Sequence, residues 1–294
     1  MILSFKGRAK LTNVNVTPYK VELKADCENC FALCCVALPF MKSADFAFNK
    51  DGGVPCKHLK DDYQCGIHQH LKHSGFSGCV SFDCFGAGQW VSQKTFGGIS
   101  WKENPSIAKE MFEVFPIMQQ LHEMLYYLTD AFMRPETKSI HGQLKDLIKS
   151  TEHFIELHAQ QILDIDLNEH RKHVNHLLTI SSKIVRDQVG LLHKKWINIK
   201  NVIEKKTDLI GMNFKGGDLR GSNFRGKLLI GANLSKCNLT YSDFIGADLR
   251  QANVKGANLM GSIFLTQAQI NAAIGDAHTL LPLHLNKPKH WELE

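Results

Sequence analysis

Between Thr207 and Thr266 a large apolar residue returns at every fifth position: Leu209, Phe214, Leu219, Phe224, Leu229, Leu234, Leu239, Phe244, Leu249, Val254, Leu259 and Phe264. Two positions earlier the residue is usually small, as at Gly217, Ser222, Ala232, Cys237, Ser242, Ala247, Ala252, Ala257 and Ser262, with Asp or Asn usually between. Neither a helix nor a period-two strand keeps a step of five in phase. A short-period solenoid does, because each repeat occupies one side of a coil. Glycine at many fifth places suits turns that need positive φ. The pattern breaks at Met212 and Lys227, which stand at small-residue sites, and at Leu228 and Ile263, which stand at Asp/Asn sites.

These residues resemble the pentapeptide-repeat family, whose pattern is A(D/N)LxG. The resemblance implies a right-handed quadrilateral β-helix with four repeats per coil. Twelve repeats then make about three coils, and strand spacing of about 4.8 Å makes a tower about 14 Å tall. Residues twenty apart should stack, which puts Phe224, Phe244 and Phe264 in one column and Leu209, Leu229 and Leu249 in another.

Upstream the period changes. Ile107, Met111, Val114, Met118, Leu121, Leu125, Leu128 and Phe132 alternate steps of four and three, an amphipathic helical stripe in which Pro116 should kink or begin the helix. A second helix is expected over 139–163. A third is expected from about Asp166 toward Glu204, with Leu178, Val185, Val189, Leu192, Trp196, Ile199 and Ile203 on one face. Short connections favour antiparallel packing. His170, His173 and His176 are expected on a solvated face. After the tower, residues 266–274 read as a short helix whose Ile270, Ala273 and Ile274 cover the last coil, and a Pro-containing tail follows. The third helix should cover the first coil. The fold class expected is therefore α+β and multidomain: a Cys-rich domain over 1–104, a helical bundle over 105–205, the β-helix over 206–266, and a capping helix and tail over 267–294.

Eight of nine cysteines fall between residues 27 and 84: Cys27, Cys30, Cys34, Cys35, Cys56, Cys65, Cys79 and Cys84. Buried free cysteine is common in cores, and that reading suffices for Cys237, at a small inward site of a repeat. It does not suffice for eight with CxxC and CC spacing. A CxxC turn lets two thiolates converge on one ion, and thiolate sets hold zinc or iron–sulfur clusters. The residues supply either one four-thiolate site with spares or two sites. Cys27, Cys30, Cys34 and Cys65 lead as ligands, and His68, three residues after Cys65, is the best additional one. His58, His70 and His73 are read as solvated or hydrogen-bonded. Residues 20–95 resemble the CxxCxxCC family of candidate zinc- or iron-chelating domains. Cys27 to Cys35, Cys56-Lys57-His58-Leu59, Cys65-Gly66-Ile67 and the pair Cys79 and Cys84 match its successive elements, with one extra spacer residue in the first and without the Arg-Pro that often precedes the last pair.

The chain of 294 residues is 44% apolar, enough for a sizeable core. Met1 to Lys6 lacks a charged leader before a long apolar stretch, so no signal peptide is expected. No run of eighteen apolar residues exists, so no membrane span is expected. Cytoplasmic residence follows as an expectation, and it argues against a disulfide scaffold. The net charge is +6, and residues 205–266 hold nine Lys/Arg against four Asp/Glu. Pentapeptide proteins that imitate DNA are long and acidic, whereas this tower is short and basic, so mimicry is disfavoured. Nucleic-acid contact through Lys215, Arg220, Arg225, Arg250 and Lys255 is less expected than a solvated basic face.

No Ser/His/Asp arrangement or phosphate loop is present, and Gly86-Ala87-Gly88 lacks the third glycine of a dinucleotide fingerprint. The expected function is a non-enzymatic zinc- or iron–sulfur-binding scaffold for a protein partner. An iron–sulfur redox or modification enzyme is the alternative, and a nucleic-acid- or topoisomerase-associated protein the third reading. Ile270, Ile274 and Trp291 near the tower end offer apolar surface for a homodimer.

Overall fold

The computed structural model describes residues 21–189 and 194–291. The N-terminal stretch is mostly loop, punctuated by α1 (Leu33–Val36), α2 (Ser77–Val80) and α3 (Ala87–Trp90), the last continuing into a π turn over Val91–Thr95. Then come α4 (Ala108–Phe132), α5 (His141–Ile155), α6 (Ala159–Leu163), α7 (Leu167–Arg186) and α8 (Lys194–Lys205). The tower follows, and α9 (Gln267–Ala272) comes after it.

Helix α4 is the axis of the molecule. The expected stripe is buried from Met111 to Leu128, joined by Phe115, His122, Met124 and Tyr127 on further faces. The helix runs on through Pro116, whose carbonyl accepts from Gln120 Nε2 at 2.9 Å. One continuous apolar cluster unites α4, α5 and α7 with Leu33, Val36, Ala87 and Val91 of the Cys-rich stretch. The expected second helix is two, α5 and α6, with His158 opening α6. The expected third helix also divides, because α7 ends at Arg186 and α8 starts at Lys194. Leu192 of its predicted stripe lies outside the described residues. His170 is buried rather than solvated: its Nε2 meets Thr151 Oγ1 at 2.9 Å and its ring abuts Phe154.

The tower has the predicted coil. Isolated parallel bridges join residues twenty apart, from Asp208↔Leu228 to Asp243↔Ile263. Four pentapeptides thus make one coil, and single-residue bridges replace extended strands among the described residues. All twelve large apolar residues are buried. Asp/Asn side chains at the middle position accept from the backbone N–H two residues on, as in Asp208 to Ile210 and Asp243 to Ile245, which closes each corner. Glycine turns such as Gly231 and Gly246 adopt φ near 64°. At Gly221 the constraint is double, because a Cβ would also stand 2.6 Å from Val189. Lys227 fills its small-residue site by sending Nζ to Lys206 O at 2.7 Å.

Phe264 departs from the expected column. Phe224 and Phe244 stack at 5.1 Å, but Phe264 takes φ 63° and joins the helical core against Tyr127 at 5.6 Å. The cause is the C-terminal half of α4 together with Arg134 just beyond it. Asp130 accepts from Phe264 N at 2.7 Å, Arg134 donates to Gly261 O at 3.0 Å, and Tyr126 donates to Leu265 O at 2.8 Å. Leu265 lies in the tower core instead.

The tail is also more than a tail. After α9, Ile274 bridges to Asn253 and Leu280 to Asn258, so the chain re-enters the ladder and adds part of a fourth coil. Trp291 then closes this end. It is 1% exposed, donates to Ala273 O at 3.2 Å, and lies where a Cβ on Gly275 would be, 2.5 Å from that ring. Ile270 is fully buried as well. Two of the three residues expected to offer a homodimer surface here, Ile270 and Trp291, are thus covered by the same chain, while Ile274 is half-buried. At the first coil, Ile203, Trp196 and Ile199 of α8 pack on the tower core, as the expected cover requires.

Candidate metal centre

The Cys-rich stretch owes its shape to α3 and its π turn. Three side chains there hold loop 24–31: Gln89 bonds Asp26 N and Lys24 O, Ser92 Oγ accepts from Phe31 N, and Gln93 donates to Asn29 O. This places Cys27 and Cys30 beside Cys84, which precedes α3. Gly88 is the point of contact: a Cβ there would lie 2.7 Å from Cys30 Sγ and 3.8 Å from Cys84 Sγ. The Gly86-Ala87-Gly88 run that fails as a nucleotide fingerprint thus makes room for two sulfurs.

The other cysteines gather below. Cys56 N donates to Cys35 O at 2.9 Å, Cys65 bridges Leu59, and Cys79 N donates to Phe76 O at 3.1 Å. Phe76 is the hub of this half, packed edge-on against Phe48 and His58 at 5.2 and 5.3 Å. His58 is therefore a packing residue. His68 is exposed and shares a surface cleft of about 500 Å³ with Cys27, Glu22, Asp26 and Glu28. Its backbone N–H donates to Cys65 O at 3.2 Å. Cys84, rather than Cys65, is the neighbour of Cys27, Cys30 and Cys34.

Turn geometry aims backbone N–H groups at the sulfurs. His58 donates to Cys56, Ile67 to Cys65, and Gly86 to Cys84, each two residues ahead; Leu33 donates to Cys30. Such donors stabilise a thiolate and tune whatever it binds. Burial opposes ionisation of most of these thiols. Burial pushes Cys30 and Cys79 up to about 12 and raises Cys27, Cys56, Cys65 and Cys84. Cys34 and Cys35 lie 3.9 Å apart; the hydrogen bond between them, then burial, raises Cys34, while the same bond, opposed by burial and aided by nearby Lys50, lowers Cys35. Metal binding would be coupled to proton release.

Four of the eight thiols, Cys30, Cys56, Cys65 and Cys84, have such donors, and the donor set is one that suits a thiophilic ion or cluster. Among the described residues, no three His, Cys, Asp or Glu side chains are grouped so as to hold a metal. Cys237 stands apart in the tower, donating to Phe214 O at 2.9 Å, which is the packing role expected of it.

The basic residues of the tower are largely engaged. Arg220 pairs with Asp218, Arg225 donates to Asn175 of α7, and Arg250 pairs with Asp248 and with Asp45 of the Cys-rich stretch. Sequence reasoning read Arg250 as an outward, solvated site; it is a tie between the two ends of the molecule.

The coil of four five-residue repeats defines a pentapeptide-repeat protein, and a family model described as Pentapeptide repeats matches eight copies over residues 228–264. The chain also belongs to the family of a Bacillus subtilis (strain 168) protein described as Uncharacterized protein YybG, to which it is 51% identical over 271 residues, 92% of this chain and 95% of that one. Among solved structures, a pentapeptide repeat protein from Nostoc Pcc 7120 is 24% identical and covers 31% of this chain and 86% of its own, with a TM-score of 0.14. Another, from the Arabidopsis thaliana thylakoid lumen, is 24% identical over 28% of this chain and 63% of its own, with a TM-score of 0.12. Among the described residues no helix is long and apolar enough to cross a membrane.

Proposed function

We propose that this is a non-enzymatic metal-binding scaffold, in which a Cys-rich head holds zinc or an iron–sulfur centre and the pentapeptide tower serves as a rigid surface for a protein partner. The observation that carries the reading is the gathering of eight thiols, from four separate sequence elements, around turns that aim N–H groups at sulfur. A head with so little regular structure gains order from a bound ion, since binding free energy is then folding free energy. The shared core and the Asp45–Arg250 pair would pass that order to the tower.

Metal and acid-labile sulfide analysis of protein purified without oxygen, with its visible spectrum, tests this. Stoichiometric zinc in colourless protein supports the scaffold. Iron with equimolar sulfide in brown protein supports the cluster and favours the redox alternative. Protein without stoichiometric metal refutes metal binding.

A further inference from the structure

The eight thiols divide into two sets, and the division is not the one the chain order suggests. Cys35, Cys56, Cys65 and Cys79 lie near enough for every thiol to feel the charge of every other. Cys27, Cys30, Cys34 and Cys84 do the same, apart from the Cys27–Cys34 pair. Between the sets the neighbours are Cys34–Cys35 and Cys27–Cys35. Geometry anchors one pair in each set. Gly88 seats Cys30 and Cys84 in one place, while the Cys56–Cys35 backbone bond and the Leu59↔Cys65 bridge assemble the other. The Cys34 and Cys35 sulfurs, 3.9 Å apart, are where the two sets meet. The Cys34-Cys35 step in α1 therefore suits one ligand for each of two centres.

Lys50 supplies an independent observation. It is 6% exposed, and its ammonium donates to three carbonyls, Val36 O, Asp51 O and Val54 O, at 3.0–3.1 Å. Among the described residues no carboxylate forms an ion pair with it, although the Asp51 charge also acts on it. Cys56, Cys35 and Cys34 are its foremost charge neighbours. A buried cation needs a compensating anion. Four thiolates on a divalent ion carry a net charge of −2, which Lys50 would partly offset.

Building on the metal-binding reading, we infer that the head contains two separate four-sulfur sites for thiophilic metal, Cys27/Cys30/Cys34/Cys84 and Cys35/Cys56/Cys65/Cys79, joined back to back through Cys34-Cys35. The first opens to the cleft through Cys27; the second is backed by Phe76 and Lys50. Each binding event forms four metal–sulfur bonds and releases the protons of the thiols that were still protonated.

Cobalt(II) titration of the full-length, reduced, metal-stripped chain tests this, read by thiolate-to-metal charge-transfer absorption. Two equivalents are expected for the native chain and for Cys237→Ser. Cys30→Ser and Cys56→Ser should each retain one equivalent, and the double variant none. Because a cysteine variant could simply unfold the head, Gly88→Ala is the companion: it keeps every sulfur, inserts a methyl group between Cys30 and Cys84, and should also retain one equivalent. A single equivalent in the native chain, abolished by either cysteine variant, overturns the two-site inference and leaves metal binding standing. No thiolate-bound cobalt in the native chain overturns both.

Discussion

Phe244→Ala is the sharpest test of the tower. The side chain is wholly buried, stacked on Phe224 at 5.1 Å with 19° between the rings. Removing the ring forfeits its transfer free energy, about 1.5–3 kcal/mol. It also leaves a cavity that the surroundings cannot close readily. Asp243 is bridged to Asn223 on one side and Ile263 on the other, so the coils on either side hold their spacing. The lost aromatic pair is worth about 0.5–1.5 kcal/mol more. The expected cost is about 3–5 kcal/mol. Reversible urea unfolding followed by fluorescence of the tower tryptophans, Trp196 and Trp291, measures it. A loss under about 1 kcal/mol would mean that the inward positions are misassigned.

Asp45→Ala should cost about 1 kcal/mol or less, since the pair with Arg250 is only partly buried, and hydrogen exchange should rise in the Cys-rich head while the tower core is unchanged. Equal protection in both proteins would show that the tie does not hold the head. His122 predicts a pH dependence. Its Nδ1 lies 2.9 Å from Phe85 O, which can only accept, so Nδ1 carries the proton; Nε2 is buried without a partner among the described residues. Burial lowers its pKa from 6.5 to about 4, although the Phe85 bond opposes this. Between those values the unfolded chain binds a proton that the folded chain does not, so stability is complete above about 6.5 and declines toward pH 4. The decline is on the order of 2–3 kcal/mol and should flatten in His122→Gln; urea midpoints that vary identically with pH in both proteins would refute it. Trp291→Ala should open the last coil, costing about 3–5 kcal/mol in urea unfolding, and an effect under 1 kcal/mol would contradict its role as a lid.

The tower was legible because its information is local: a five-residue step repeats until every inward position is assigned. Phe264 was not, because Asp130 of α4 and Arg134 just beyond it decide its fate, and nothing in the repeat announces them. The re-entry of Ile274 and Leu280 was hidden because α9 interrupts the step of five. The cysteines were legible as donors but not as a partition. Cys84 joins Cys27, Cys30 and Cys34 only because Gln89, Ser92 and Gln93 hold a distant loop against α3. His122 lies in a stripe of α4 that the four-and-three spacing did not include, and its burial became apparent only when Phe85 was placed beside it. Arg250 likewise reads as one more solvated base until Asp45 is brought across to it.

The central claim, that the head binds metal through its thiols, is tested most directly by X-ray absorption at the metal edge of protein purified without oxygen. The account predicts a sulfur first shell of four ligands, at about 2.3 Å if the ion is zinc. A first shell dominated by nitrogen and oxygen, or the absence of a stoichiometric metal edge, would contradict it.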